Sequence, residues 1–211
     1  MPKQTPQLPL NERYRWLPTA GKTGRYYDNQ TKRLTSWLDV RRDIDKYIDS
    51  SNKVVDGLAN QLRNREISLA EWQTAMRDNM RAMHRNTAMA AKGGRAQMTQ
   101  ADWGRVGQEL RFQYGKLDNF AKQIASGEVK LDGRINWRAK LYGEASRGTH
   151  EQEKRSMSSM KGLTEEMRIL HSKESCNGCQ KNAGFWAPIG TLPKIGSQDC
   201  ATSCLCTFDF R

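Results

Sequence analysis

The chain has 211 residues, enough for one large domain or two small ones. Only 36% are hydrophobic and 8% aromatic, and the mean hydropathy is −0.85. That is lean for a single thick-cored globule, yet six tryptophans are too many for simple disorder. Lys and Arg total 35 against 23 Asp and Glu, a net charge of +12 that invites a nucleic-acid or acidic-surface reading. The excess is spread along the chain: there is no basic tail, no five like charges stand together, and Arg41-Arg42 lies between Asp39 and Asp43. Solvated helix faces account for such a distribution, with proximity to DNA or an acidic protein partner as the other reading. No helix-turn-helix or finger motif is recognisable. No run approaches the roughly 18 apolar residues of a membrane span. The start, Met1-Pro2-Lys3-Gln4-Thr5-Pro6, lacks an apolar signal region, so the expectation is a protein made and kept in a cytoplasm, or packed there into something larger.

Residues 1–30 carry four of the six prolines, Pro2, Pro6, Pro9 and Pro18, and little periodicity. They read as an extended arm. Ordering such an arm costs conformational entropy, so it is expected to lie on a partner or along its own helices. Pro18 to Gly24 reads as a turn leading to Tyr26-Tyr27-Asp28.

Residues 31–170 read as a helical domain. From Thr31 the apolar positions Leu34, Trp37, Leu38, Ile44, Tyr47, Ile48, Val54, Val55, Leu58 and Leu62 recur mostly at three- and four-residue steps. Ser68-Leu69-Ala70-Glu71 is a capping-box pattern that opens a second helix, stopped by Gly93-Gly94. Its Met76, Met80, Met83 and Met89 series reads as adaptable packing. Thr99-Gln100-Ala101-Asp102 opens a third helix that ends at Ser126-Gly127. Gly104, Gly107 and Gly115 inside it each cost about 1 kcal/mol against Ala, and suggest a close-packed neighbour or a broken first turn. After a short connection over residues 128–133, a fourth helix is expected over Arg134–Lys161, and a short last one from Thr164 through Leu170. The fold class is therefore mainly α: several long amphipathic helices, an extended N-terminal arm and a small C-terminal module.

That module, residues 171–211, holds all five cysteines: Cys176, Cys179, Cys200, Cys204 and Cys206. The spacing C-x2-C, twenty residues, C-x3-C-x-C is the layout of a structural zinc site. A C-x2-C turn aims two thiolates at one ion, and a second close group completes the tetrahedron. Metal binding of this kind folds a zinc-knuckle-like segment whose apolar content is too small to fold alone. Five thiols compete for four places. Cys176, Cys179 and Cys204 are the firmest ligands, Cys200 or Cys206 the fourth, and His171 is an alternative. Reduced cysteines without metal, disulfides and a cysteine nucleophile are the competing readings. An odd count argues against disulfides, and no base is positioned for a nucleophile.

No other constellation organises chemistry. Ala91-Lys92-Gly93-Gly94-Arg95 lacks the phosphate-loop pattern and follows a helix, and Gly104 to Gly107 is not a dinucleotide fingerprint. His84 and His150 read as surface or helix-packing groups. Glu144, Glu151 and Glu153 form no E-x2-H pair of the bundle-metal kind. The expectation is no catalytic residue, no organic cofactor and a non-enzymatic protein.

Some stretches have a familiar character. They are Gly115-Lys116-Leu117-Asp118-Asn119-Phe120-Ala121, Ile124-Ala125-Ser126-Gly127, Arg138-Ala139-Lys140-Leu141-Tyr142 and Ser175-Cys176-Asn177-Gly178-Cys179. Pro188-Ile189-Gly190-Thr191-Leu192-Pro193-Lys194-Ile195-Gly196 and Cys200 follow, then Ser203-Cys204-Leu205-Cys206. Residues 65–211, and most specifically the last 40, resemble structural proteins of tailed bacteriophages. More distantly they resemble the Mu-F-like minor head, or head morphogenesis, proteins, which often end in C-x2-C and a P-x-C-R-C segment. Here Leu205 stands where that group often has Arg, and no Pro closely precedes the final pair. The resemblance implies a non-enzymatic virion component, assembled in a host bacterial cytoplasm. Its partners would be portal, capsid or head-tail connector subunits or copies of itself, with non-specific DNA close by and no membrane. A zinc-containing nucleic-acid-binding protein is the alternative, and a phage-associated enzyme or toxin a further one.

Overall fold

A computed structural model describes residues 9–17 and 25–211. The turn expected over Pro18–Gly24 and the first eight residues of the arm lie outside the described residues. The fold is mainly α. After a helical turn, α1 (Leu10–Arg13), the arm continues as strand β1 (Tyr14–Leu17) and pairs antiparallel with β2 (Arg25–Asp28), which pairs with β3 (Arg33–Thr35). This small sheet packs on the helices. Tyr14 donates its hydroxyl to Asp43, Tyr26 donates to the Ala91 carbonyl, and the Trp16 N–H reaches the Gly93 carbonyl. Gly93, at φ 81°, is where the chain needs glycine: a Cβ there would collide with the Trp16 backbone. The described part of the arm thus lies along its own helices.

The first long helix, α2 (Trp37–Arg63), begins six residues later than its periodicity suggests. Ser36 caps it in a full capping box with Asp39, whose carboxylate accepts from the Ser36 N–H at 3.2 Å and hydroxyl at 2.7 Å. Leu34, counted among its apolar positions, instead lies on β3, 47% exposed. The α2 stripe of Val40, Ile44, Ile48, Ser51, Val55, Ala59 and Leu62 is buried. Helix α3 (Leu69–Lys92) starts and stops as expected, at the Ser68–Glu71 box and at Gly93. Helix α4 (Gln100–Ala125) starts at the Thr99–Asp102 box. Among the described residues no neighbour lies within 4 Å of a Cβ built on Gly104, Gly107 or Gly115, so no close-packed helix among them explains these glycines.

The expected fourth helix is two: α5 (Gly133–Glu144) and α6 (Ser146–Met160). The Ser146 hydroxyl donates to the Gly143 carbonyl at 2.7 Å at the break, a Gly/Ser pattern that kinks helices. The remaining helical expectation fails outright. Thr164–Leu170 is not helical but carries β4 (Glu165–Ile169), the central strand of a second antiparallel sheet. It lies between β5 (Ala187–Pro188) and β6 (Thr207–Phe210). Strand β4, placed in the helical domain by the sequence reading, thus pairs with two strands of the Cys-rich segment. A one-turn helix, α7 (Asn177–Lys181), lies in the module.

Three apolar clusters follow. One packs Val55, Leu62, Trp72, Met76, Met80, Leu117, Phe120 and Ile135 from α2 to α5. A second gathers Tyr14, Tyr26, Ile44, Ile48, Met83 and Met157 under the N-terminal sheet. The third lies within the module: Cys179, Leu192, Ile195, Cys204, Cys206 and Phe208.

Candidate metal centre

Beside its cysteines the module's apolar cluster contains three large buried hydrophobic side chains, Leu192, Ile195 and Phe208, with Phe210 partly buried against them. At roughly 1.5–3 kcal/mol for each fully buried side chain, this is small against the conformational entropy of some forty residues, at 1–2 kcal/mol each. Something else must hold the segment.

Cys176 is the N-cap of α7, and its sulfur accepts the Cys179 N–H at 3.4 Å. The short helix thereby turns Cys179 inward, where it is fully buried. Cys200 and Cys204 bracket a helical turn at Ala201–Ser203, and Ala201 takes φ 45° to make it. Cys206 immediately precedes β6. The five sulfurs converge. Cys179 Sγ is 3.5 Å from Cys200 Sγ and 3.7 Å from Cys204 Sγ. Cys176, Cys179 and Cys200 form one group with all Sγ atoms within 4.8 Å of one another, and Cys179, Cys204 and Cys206 form another. Four thiolates about 2.3 Å from one tetrahedral ion stand about 3.8 Å apart, a spacing that the Cys179–Cys200 and Cys179–Cys204 pairs approach within two overlapping groups of three. The C-terminal cysteines can hold a metal ion, and every sequence-predicted ligand except the alternative His171 belongs to the cluster. His171 is elsewhere: its Nε2 sits 2.9 Å from Thr207 Oγ1.

Proton affinities within the cluster are uneven. Burial works against ionisation of Cys176, but backbone N–H groups of Cys179 and Cys200 outweigh it and bring the thiol down to about 7. Burial also opposes ionisation of Cys204, and the Cys206 and Gly196 N–H groups overcome it. Cys200 is pushed up to about 12, by burial and then by the neighbouring Cys176. Cys179 and Cys206 are raised, in each case first by burial. Crowded sulfurs cannot all carry negative charge unless a cation joins them, and a divalent ion supplies that charge.

One cation is already present. Arg168, on β4, is fully buried. Its guanidinium donates to Cys179 Sγ at 3.5 Å and to the Pro193 carbonyl, and lies 5.3 Å from the Phe208 ring centre. Among the described residues no carboxylate pairs with it. The adjacent inward-facing Glu166 is taken by Arg155, with Nε and Oε2 2.6 Å apart, and by the Gly190 and Leu192 N–H groups at 3.1 Å. A guanidinium stays charged at any ordinary pH, and a buried charge without a counter-ion is costly. Among the described residues, the sulfur cluster is the group beside Arg168 that could carry the balancing negative charge, if a metal ion holds it as thiolates. This all-sulfur donor set suits a soft or borderline metal ion.

The module is moored by charged side chains of the helical body. Glu151 accepts the Phe208 N–H at 3.0 Å, Lys154 donates to the Phe208 carbonyl, and Arg155 donates to the Leu192 carbonyl at 3.0 Å. Arg41 bridges Glu151 (3.2 Å) and the Leu205 carbonyl (2.9 Å). Lys154 also stands 3.2 Å above the Trp37 ring. Gly148 lets α6 approach the Ile195 carbonyl, which would lie 2.9 Å from a Cβ there. Sequence reasoning found the cysteines but missed Arg168, Glu166, Arg155 and Lys154. The opposite charges at alternate positions Glu166 and Arg168 were the one available signal, and they bear on those two residues alone. His84 and His150 prove to be helix-packing groups: His84 Nδ1 lies 2.7 Å from Thr149 Oγ1 and His150 Nδ1 lies 3.2 Å from Glu151 Oε1. Lys92, in the glycine turn, is buried against Asp102 at 3.1 Å. No protein-family model, curated protein or solved structure matches this chain, so the site stands on its own residues.

Proposed function

We infer that this chain is a non-enzymatic minor head or neck component of a tailed-bacteriophage virion. In this reading it is assembled in the bacterial cytoplasm and docks on portal, capsid or connector subunits, or on copies of itself. The C-terminal module is a docking knob closed by one structural Zn2+ on four of Cys176, Cys179, Cys200, Cys204 and Cys206. The observation that carries the zinc is the convergence of five sulfurs around buried Cys179 with Arg168 beside them. Zinc suits four sulfur ligands in a closed tetrahedral site. The virion assignment rests on the sequence resemblance, and a mainly helical body with a stapled knob is compatible with it.

Two measurements test this. Protein prepared from a reducing cytoplasm should carry one zinc per chain. A content near zero with five freely reactive thiols refutes the closed site. Native isolation should recover the chain in a megadalton particle beside portal-like and coat proteins. Recovery only as a small free species refutes the virion reading and favours the zinc-containing nucleic-acid-binding alternative, which the net charge of +12 supports.

A further inference from the structure

A second surface, remote in sequence from the cysteines, carries its own chemistry. Between α3 and α4 lies an open groove of about 430 Å³. Val106 and Leu110, both buried, form its floor, and Trp103 and Tyr114 stand along it. Gly107, with no neighbour within 4 Å of a built Cβ, keeps the space between the two rings open. The charged members of its lining are all arginines: Arg81, Arg85 and Arg111. Arg81 is partly neutralised by Asp78 at 3.4 Å. Arg85 lies 5.6 Å from the Trp103 ring centre, and among the described residues neither Arg85 nor Arg111 pairs with a carboxylate.

We propose that this groove binds single-stranded nucleic acid, with Arg85 and Arg111 on the phosphates and a base stacked on Trp103 or Tyr114. Arginine forks match phosphate oxygens. Aromatic faces beside unneutralised cations are the two elements of sequence-tolerant single-strand binding. Arg85 lies over one face of Trp103 and Arg77 over one face of Tyr114, 5.6 Å from each ring centre, and an acidic peptide would satisfy the arginines but make no use of the opposite faces. A duplex would engage the arginines while keeping its bases out of reach. The inference does not depend on the metal or on the virion reading.

The test is fluorescence anisotropy of the full-length protein with a labelled twelve-nucleotide oligothymidylate across a salt series. Arg85→Gln with Arg111→Gln should flatten the slope of log affinity against log salt by about 1.4, at 0.7 per phosphate contact. A matched pair of exposed lysines away from the groove, Lys53→Gln with Lys130→Gln, should leave affinity within twofold. Trp103→Leu, which keeps apolar bulk, should weaken binding about tenfold or more at fixed salt, the loss of one base stack, with the circular dichroism spectrum unchanged. The proposal is overturned by undetectable binding at low salt, or by equal losses from the arginine and lysine pairs. It is also overturned if an equal-length duplex or a poly-glutamate peptide of equal charge competes as well as the unlabelled single strand.

Discussion

Replacing Arg168 by Met asks whether the cysteine cluster is anionic. The guanidinium is fully buried, touches Cys179 Sγ at 3.5 Å and has no carboxylate partner among the described residues. If the sulfurs hold a divalent ion as four thiolates, the centre has a net charge of −2 and Arg168 balances half of it. Its removal should then act like loss of any outer-shell donor, a 10- to 100-fold drop in metal affinity, or about 1.4–2.8 kcal/mol. At about 2–4 °C per kcal/mol for a chain of this size, the melting temperature of the metal-loaded protein should fall by several degrees. Arg168→Lys, which keeps the charge, should recover much of the affinity. The assay is competition for zinc against a chromophoric chelator at fixed pH, with thermal unfolding alongside. If the sulfurs are neutral thiols, Arg168 is an uncompensated buried charge, and Met relieves it. Unchanged or tighter zinc binding by Arg168→Met, or the same loss with Lys as with Met, would refute the reasoning.

Other consequences are open to direct measurement. Cys179 belongs to both sulfur groups, whereas Cys206 belongs to one. Cys179→Ser should therefore abolish stoichiometric metal binding and Cys206→Ser should retain it; the reverse order in metal analysis contradicts the geometry. Chelation should open the module to trypsin at Lys173, Lys181 and Lys194 while far-UV circular dichroism keeps the signal of α2 to α4; resistance to trypsin after complete metal removal contradicts a metal-closed module. Burial holds His84 down to about 4, against 6.5 in the unfolded chain. Because the unfolded state then binds the extra proton, the stability gained by keeping this ring neutral is complete above pH 6.5. It declines as pH falls towards 4, by up to roughly 3 kcal/mol. Urea midpoints for wild type and His84→Gln should converge on acidification, and parallel curves argue against a buried neutral ring. Gly93→Ala forces a side chain into the Trp16 backbone at a positive φ. It should release the N-terminal sheet, seen as faster amide exchange at Trp16 and Tyr26 with α4 unaffected.

Much of this architecture was legible because local rules and tertiary packing agreed. The Ser68–Glu71 and Thr99–Asp102 boxes and the Gly93 stop sit at the observed helix ends. The cysteine spacing identified the sulfur cluster because close ligand pairs must face one point. Strand β4 was not legible. A half-buried strand is recognised by apolar residues on its inner face, and here Glu166 and Arg168 occupy that face, both fully buried. Glu166 is answered by Arg155 and Arg168 contacts Cys179, and those partners are distant in sequence. For the same reason the burial of Glu151, Glu153, Lys154 and Arg155 on α6 could not be read from the sequence. The break between α5 and α6 coincides with a side-chain hydrogen bond, Ser146 to the Gly143 carbonyl, that periodicity does not register.

The mooring of the module to α6 has a consequence for how the chain is made. Glu151, Lys154 and Arg155 leave the ribosome long before Leu192 and Phe208, the residues whose backbone they bind. Synthesis proceeds at about 5–20 residues per second, so for several seconds these charges face water on a helix whose final partner does not yet exist. The helical body can pack first around Trp72 and Phe120. The module can close only once all five sulfurs have emerged, so that, if the sulfurs take up an ion, ion capture, strand pairing by β6 and docking on α6 would become one event. A chain stalled before Phe208 would present a finished bundle with an open, charged berth.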